Sequence, residues 1–304
     1  MSKLLEAIKN ARECIAHQNG PGNACPDGMA SAILVHDALP KIPLRFANHE
    51  ELERLTPMPE ILFVDIAPPR RNAAEWAAQG GVVVLDHHEH QKDVVEMFGE
   101  LGVYSDELGV SGAVLTLRHV HHPIRGDNHF ASEFARLAGV RDTWQKQDPD
   151  WHMAREQAEA LRFWPRDDLF AANPFTDRLD RFTGLMQIGA PLVAKRDATA
   201  KAHADRAVVR YLPSGLRIAM LNTLETSDVA DLIAADVLVG FAYTGKGSDS
   251  PILQLSFRSR GAVDVGAIAK KLDGGGHRSA AGARVPAPST DPYAWIIALM
   301  REQT

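Results

Sequence analysis

Ile61-Leu62-Phe63-Val64-Asp65 and Val82-Val83-Val84-Leu85-Asp86 are the two stretches on which the fold turns. Each is a short, unbroken apolar run, rich in β-branched residues, that ends in an aspartate. A strand covered on both faces has no polar side to display. It therefore reads as a continuous apolar run, which is the pattern of parallel sheets. Each aspartate then stands at the carboxyl end of its strand, and in open α/β sheets that edge is where ligands bind.

Working outward, helical patterns separate these strands. Helices are predicted over 28–39, 72–79, 91–101, 112–120 and 131–138. The alternation predicts a doubly wound, mainly parallel α/β domain with right-handed crossovers. Met1 to Gln18 has scattered charges and no continuous apolar stretch, so it reads as an amphipathic helix and not as a signal peptide. From Trp151 to about Asp205 the pattern is mainly helical, with Pro165, Pro174 and Pro191 as breakers. Strand-like runs return at 207–212, 216–221, 237–243 and 252–257. A helix over 265–272 then leads into Asp273-Gly274-Gly275-Gly276-His277, and a last helix covers 292–302. The chain thus divides into a first domain over 1–185, a connection over 186–205 and a smaller α/β domain over 206–304. An active-site cleft is expected between the two domains.

The 304 residues are 45% hydrophobic, enough for a sizeable core, and 24% charged, which argues against wholesale disorder. Two cysteines, Cys14 and Cys25, make no disulfide framework and fit a reducing cytosol. No run approaches the length of a membrane span, so a cytoplasmic protein without membrane contact is expected. The net charge of −6 argues against a protein that grips long nucleic acid by electrostatics alone. Short anionic substrates in a local basic pocket remain compatible with it.

Four separated positions carry chemistry. Asp27, in Cys25-Pro26-Asp27-Gly28, precedes a helix and taken alone reads as an N-cap. Asp65 ends a buried strand, where an unpartnered carboxylate is costly. Asp86-His87-His88-Glu89-His90 clusters acid and imidazole directly after a strand, which favours a metal or catalytic role over a solvated loop. Asp142 alone is unremarkable. Hard divalent cations take carboxylate oxygen with some imidazole, and several carboxylates meeting at one point repel each other without one.

In this order the set Asp-Gly, strand-Asp, Asp-His-His and a later Asp resembles the DHH phosphoesterases. These include nanoRNases, single-strand exonucleases, cyclic-dinucleotide phosphodiesterases and manganese pyrophosphatases. Leu255-Ser256-Phe257-Arg258-Ser259, Val263-Asp264-Val265, Gly274-Gly275-Gly276-His277 and Ala280-Ala281-Gly282 are similar to the DHH-associated domain. The resemblance implies Asp27, Asp65, His87 and Asp142 as metal ligands, with Asp65 bridging to a second metal. It places Asp86 behind His87 as its orienting group, and His88 near the scissile phosphate. It implies Arg258, Gly274, Gly275, Gly276, His277 and Arg278 as the grip on substrate phosphate or nucleotide. Glycine lets backbone N–H groups approach a phosphate closely, and the cationic side chains add charge-assisted donors.

The first motif departs from the family's His-x-x-x-Asp-x-Asp. Aligning Asp27 with its last aspartate places Cys25 at the preceding aspartate and Pro21 at the histidine, with Asn23 the nearest polar substitute. On that alignment the ligands of the second metal are missing or replaced. Cys25 reads either as a thiolate ligand or as a small buried residue. Trp144 is a candidate to stack on a base, and His119, His121 and His122 read as structural. The resulting expectation is a manganese-dependent hydrolase of short oligonucleotides or small nucleotides, with magnesium as the alternative metal. A homodimer is also among the expectations. A non-catalytic nucleotide-binding module and an inorganic pyro- or polyphosphatase are the rival readings.

Overall fold

The structure, a computed structural model, describes residues 2–20, 23–163, 179–244, 251–261 and 263–303. It contains two compact units, Met1–Val193 and Ala194–Thr304.

The first unit is built on strands β1 (Glu13–Gly20), β2 (Asn23–Ala24), β3 (Leu44–Ala47), β4 (Ile61–Val64), β5 (Val83–Asp86) and β6 (Gly102–Tyr104). The order β3-β1-β4-β5-β6 is parallel throughout, and β2 folds back antiparallel on the end of β1. The apolar runs that predicted the sheet serve both of its faces. Cys14, Ala16, Leu62, Val64, Val83 and Leu85 pack on one side, with Met29 and Ile33 of the helix Pro26–Ala38 and Phe134 of the helix His129–Asp142. Ile15, Ile61, Phe63, Val82 and Val84 pack on the other, with Trp76 and Val94. The period-2 alternation of side chains across the pleat makes that division. Phe63 meets Trp76 edge-on at 5.1 Å, and each fully buried side chain of this size contributes about 2–3 kcal/mol.

The helix Pro26–Ala38 shows why the first motif has its composition. Cys25 holds the extended N-cap conformation and Pro26 occupies the first turn, where its missing N–H costs nothing. A Cβ on Gly28 would lie 2.3 Å from the carbonyl oxygen of His17, so only glycine lets the helix lie this close to β1. The helix is buried on nearly every side, and it stops before Pro40.

The N-terminal expectation needs correcting. A helix spans only Lys3–Asn10, and from Glu13 the chain is the central strand β1. Glu13-Cys14-Ile15-Ala16-His17-Gln18 has a composition that suits a helix. Hydrogen-bonded neighbours on both sides, β3 and β4, override that preference. The helix expected over 91–101 is shorter, Lys92–Glu96, with a 3₁₀ turn at Gly99–Leu101. β3 and β6 were not anticipated. Both are short and lie at the sheet's edges, half-exposed, and so lack the apolar signature.

Pro165 and Pro174 lie outside the described residues. Pro191 does not break its helix but sits inside Leu179–Asp205, two positions before the boundary between the units. It removes one intrahelical bond there. Gly189 in the same helix allows close packing, since a Cβ would meet the Glu156 carbonyl oxygen at 1.9 Å.

The second unit carries β7 (Val208–Tyr211), β8 (Arg217–Leu221), β9 (Val237–Thr244), β10 (Ile252–Ser259), β11 (Gly275–His277) and β12 (Ala280–Pro286). Their order is β11-β12-β10-β9-β8-β7, antiparallel except between β8 and β9. Its core joins Phe241, Leu255 and Phe257 to Ile268 and Ile296 of the helices Val265–Lys270 and Pro292–Gln303. Among the described residues, no helix is long and apolar enough to cross a membrane.

Candidate metal centre

In the first sheet the chain order reverses around β1, which has β3 on one side and β4 on the other. The crevice at such a switch point, beyond the strands' carboxyl ends, is where open α/β sheets bind ligands. β1 brings His17 to it, β4 brings Asp65 and β5 brings Asp86 and His87.

Asp27, Asp65, His87 and Asp142 converge there. His87 Nε2 lies 3.2 Å from Asp142 Oδ2, 3.4 Å from Asp65 Oδ1 and 3.8 Å from Asp27 Oδ2. Despite these approaches, neither His87 Nε2 nor Asp65 Oδ1 makes a hydrogen bond among the described residues, although both atoms are buried. Buried polar atoms are nearly always satisfied. A nitrogen and an oxygen left this way, facing further carboxylates, suit a shared cation. The residues present therefore fit a divalent metal.

The position of each of these side chains has a local cause. Asp27 is not the N-cap of its own helix; Cys25 holds that place. Asp27 instead caps another helix. It accepts from Ser111 Oγ at 2.7 Å, Gly112 N–H at 2.7 Å and Ala113 N–H at 3.1 Å, at the start of the helix Gly112–Thr116. Those donors fix the orientation of the buried Asp27 carboxyl group. Asp65 adopts φ 60°, the left-handed region, which aspartate tolerates better than most residues. Gly112 packs directly on it, and a Cβ there would lie 2.4 Å from Asp65 Cβ. Asp142 ends the helix His129–Asp142.

Titration reflects the crowding. Burial, then the charges of Asp65 and Asp142, push Asp27 well above the carboxylate range. Burial also raises Asp142, against the pull of His87. Burial works against ionising Asp65 too, yet the imidazoles of His17 and His87 hold its pKa well below the usual value. His87 is lowered by burial but raised more by Asp65, Asp142 and Asp27, to about 10. The carboxyl groups and the imidazoles of the cluster thus titrate against one another.

Asp86 does not orient His87, as expected from sequence. Its Oδ1 accepts from His88 Nδ1 at 2.6 Å and from the His88 backbone N–H at 3.1 Å. The tight turn after β5 brings residue 88, and not 87, back over the Asp86 carboxylate. Burial lowers His88, but this hydrogen bond and the Asp86 charge raise it to about 9. A cavity of about 160 Å³ adjoins Asp27 and Asp142, with Arg141 and Arg162 on its wall.

In the second unit, register aligns Arg258 with Ala280 and Ala280 with His277 across β10, β12 and β11. The Arg258 guanidinium donates to Ser227 Oγ at 2.8 Å and to the Phe257 carbonyl at 2.7 Å, and burial lowers its pKa. The three glycines are not equivalent. A Cβ on Gly274 would lie 2.2 Å from the Gly282 carbonyl oxygen, whereas Gly275 faces open space. Gly276 has φ 134° and would meet the Ala280 carbonyl oxygen at 2.5 Å. Gly274 and Gly276 therefore answer first to the close approach of β11 and β12. Arg278 is exposed.

Residues 217–293 match the family model of the DHHA1 domain. Solved structures share the fold at low identity. A pGpG-specific phosphodiesterase, PggH from Vibrio cholerae, superposes with a TM-score of 0.61 at 12% identity, over 96% of this chain and 100% of the other. The DHH domain of a member of the s1p family of ribosomal proteins gives 0.64 at 14%, over 99% and 92%. An exopolyphosphatase-related protein from Bacteroides fragilis gives 0.52 at 13%, over 98% and 94%. No curated protein matches the chain. Residues 217–293 thus match a DHHA1 domain, and the chain shares its fold with these structures.

Against the DHH pattern the first motif looked incomplete, and here the geometry adds a residue that sequence reasoning missed. His17 Nδ1 lies 3.3 Å from Asp65 Oδ2, and Cys25 Sγ lies 3.5 Å from the same oxygen. Donor atoms of His17, Asp65 and His88 lie within 4.8 Å of one another, as do those of Asp27, His87 and Asp142. Two ligand groups thus adjoin, with the two oxygens of Asp65 facing one each. Pro21, aligned earlier with the family's histidine, lies outside the described residues. The signal that could have found His17 was a polar residue inside an apolar strand that ends at the ligand edge.

Trp144 is in contact with cations, Arg141 at 4.3 Å and Lys146 at 4.7 Å from its ring, and stands edge-on to Trp151. A base would have to displace them. His121 is buried against Asp37 at 2.9 Å, a structural pair.

Proposed function

We propose that this protein is a metal-dependent phosphoesterase of the DHH type that hydrolyses short oligonucleotides or small nucleotides, with manganese as the working metal. The observation that carries the reading is the meeting of Asp27, Asp65, His87 and Asp142 around buried, unsatisfied ligand atoms. A bound divalent cation supplies Lewis acidity toward phosphate oxygen and acidifies water.

The chain's own residues do the rest. Asp27 is fixed by three donors and so presents its carboxylate in one orientation. Asp86 ties up Nδ1 of His88, which leaves Nε2 to face the phosphate. With its pKa raised to about 9, His88 carries a proton at neutral pH and donates it to the departing oxygen. Arg141 and Arg162, beside the cavity next to Asp142, attract the substrate's anionic groups. In the second unit, Gly274, Gly275, Gly276, His277, Arg278 and Arg258 are the candidate grip on a phosphate or nucleotide. The modest cavity and the net charge of −6 favour a short substrate over a long one. The dinucleotide named for the Vibrio cholerae neighbour agrees with that size.

The test is hydrolysis of labelled di- to pentanucleotides, pGpG and tripolyphosphate with added manganese, using chelator and Asp65→Ala as controls. Cleavage of the nucleotides that is lost in both controls is expected. Turnover that survives Asp65→Ala and His87→Ala would remove the site from the mechanism. Tripolyphosphate as the preferred substrate would favour the kinship with the exopolyphosphatase-related protein.

A further inference from the structure

Gln157 is 1% exposed and lines the cavity of about 160 Å³ beside Asp27 and Asp142. Its Nε2 donates to the Phe134 carbonyl at 2.8 Å, but its Oε1 makes no hydrogen bond among the described residues. Buried polar atoms are nearly always satisfied. This carbonyl oxygen therefore calls for a donor that the described residues do not supply. Arg162, on the same cavity wall, is the complementary case. Its Nε is buried without a hydrogen bond, and the Glu159 carboxylate stands off at 3.7 Å.

The helix Trp151–Phe163 sets the spacing of the two. At about 3.6 residues per turn, positions 157, 158, 161 and 162 fall within an arc of about 140° and share one face. Gln157 and Arg162 mark the margins of that face, about 7.5 Å apart along the axis, with Ala158 and Leu161 between them. Pro26 and Ala138, from two other helices, add apolar surface to the cavity. An occupant that satisfies both margins carries a donor and an acceptor on separate edges of an apolar body. A phosphate has no N–H and sets its oxygens against Oε1. A single hydroxyl would have to span both margins at once. A planar base meets both demands, and a cavity of this volume is in the range that takes one aromatic ring. Because Gln157 Nε2 is already bonded to Phe134, the two-point contact by which glutamine reads adenine is closed. Guanine offers N1–H and an amino group on one edge, and on the other O6 and N7, the pair that arginine binds.

We propose that Gln157 and Arg162 form a guanine-selecting subsite beside the metal centre, in which Gln157 Oε1 accepts from the base's N1–H or amino group and Arg162 donates to its O6 and N7. The inference rests on the nucleotide reading of that centre and adds to it which base is taken.

The experiment has two arms on the full chain. Nucleosides, which carry no phosphate, are titrated in chelator and followed by saturation-transfer NMR, and pGpG, pApA, pCpC and pUpU are offered for hydrolysis with added manganese. Guanosine is expected to bind about tenfold more tightly than adenosine, cytidine or uridine, and pGpG to have the highest kcat/KM by a similar factor. 7-Deazaguanosine, which lacks the N7 acceptor, is expected to bind about fivefold more weakly than guanosine in the native chain and as well as guanosine in Arg162→Met. Gln157→Met is expected to lose guanosine's advantage over adenosine. Circular dichroism checks that both variants fold, and if Gln157→Met does not, the comparison at the partly exposed Arg162 decides. Equal binding of the four nucleosides, or a 7-deazaguanosine penalty that persists in Arg162→Met, overturns the subsite, while hydrolysis of the four dinucleotides alike leaves the phosphoesterase reading standing. Selective guanosine binding with no manganese-dependent hydrolysis supports the subsite and overturns that reading.

Discussion

Asp142→Asn should stabilise the metal-free protein and weaken its response to metal. Asp142 is the last residue of its helix, where a negative charge opposes the helix dipole at a cost of about 0.3–1 kcal/mol. Burial and the Asp65 charge raise its pKa in spite of His87 at 3.2 Å. A carboxylate whose folded pKa is raised destabilises the fold once the pH exceeds its unfolded value. Asparagine keeps the shape and removes that cost; the Asp142 side chain is 31% exposed, so solvent screening leaves about 0.5 kcal/mol in all, or roughly 1–2 °C in Tm for a unit of this size. Metal reverses the order. A cation at a hundred times its Kd stabilises the native chain by about 2.7 kcal/mol, or roughly 5–11 °C. A variant with affinity weakened about a hundredfold gains only about 0.4 kcal/mol at the same concentration. Thermal unfolding followed by circular dichroism, in chelator and in manganese, reads both signs. A lower Tm in chelator would make Asp142 a structural partner of His87, and an undiminished manganese shift would remove it from the ligand set.

Gly112→Ala should destabilise by about 1–3 kcal/mol and weaken manganese binding, because the new Cβ would stand 2.4 Å from Asp65 Cβ and 2.8 Å from Asp65 Oδ1. Native melting and native metal titration in that variant would refute the packing argument. Gly276→Ala, at φ 134° and 2.5 Å from the Ala280 carbonyl oxygen, should cost about 1–3 kcal/mol, whereas Gly275→Ala should change stability by less than about 0.5 kcal/mol. Equal effects in urea unfolding would contradict the difference between the two positions. Away from the centre, the hydrogen bond from Arg136 holds the Glu133 carboxyl below its ordinary range. A depressed carboxylate stabilises above its unfolded pKa and loses that contribution as pH falls through the folded one. Glu133→Gln should therefore flatten the acid limb of the stability profile by up to about 0.5 kcal/mol, with little change at low pH where both forms are neutral.

Much of the fold could be read because it rests on period and burial. Ile61–Val64 and Val83–Asp86 are buried along their whole length, and a strand with that environment has only one way to be written in sequence. In the second unit β10 was expected over 252–257 and spans Ile252–Ser259, and β9 was expected over 237–243 and spans Val237–Thr244, whereas β11 and β12 were not anticipated. What escaped was set by partners far along the chain. β1 has helix-compatible residues and becomes a strand because β3 and β4 flank it. Asp27 looks like a local cap and instead receives hydrogen bonds from Ser111, Gly112 and Ala113. The pairing of Asp86 with His88 instead of His87 depends on a turn whose path no spacing rule specifies.

The apparent gap in the first motif has the same origin. A fixed spacing of histidine and acid holds only while the chain between them follows one path. Here β1 continues to Gly20 and β2 comes back beside it, so seven residues separate His17 from Cys25 where the family pattern has three. The pairing of Gln18 with Ala24 restores in space what the spacing hides, because an antiparallel arm brings its two ends together whatever the length of its tip. A count of residues therefore reported a missing ligand, while the register points His17 and Cys25 at one oxygen of Asp65. The rival binding-only reading began from that gap in the spacing, and His17 stands in space beside Asp65 where the spacing shows no histidine. What remains distinct from the family pattern is sulfur in place of oxygen at Cys25.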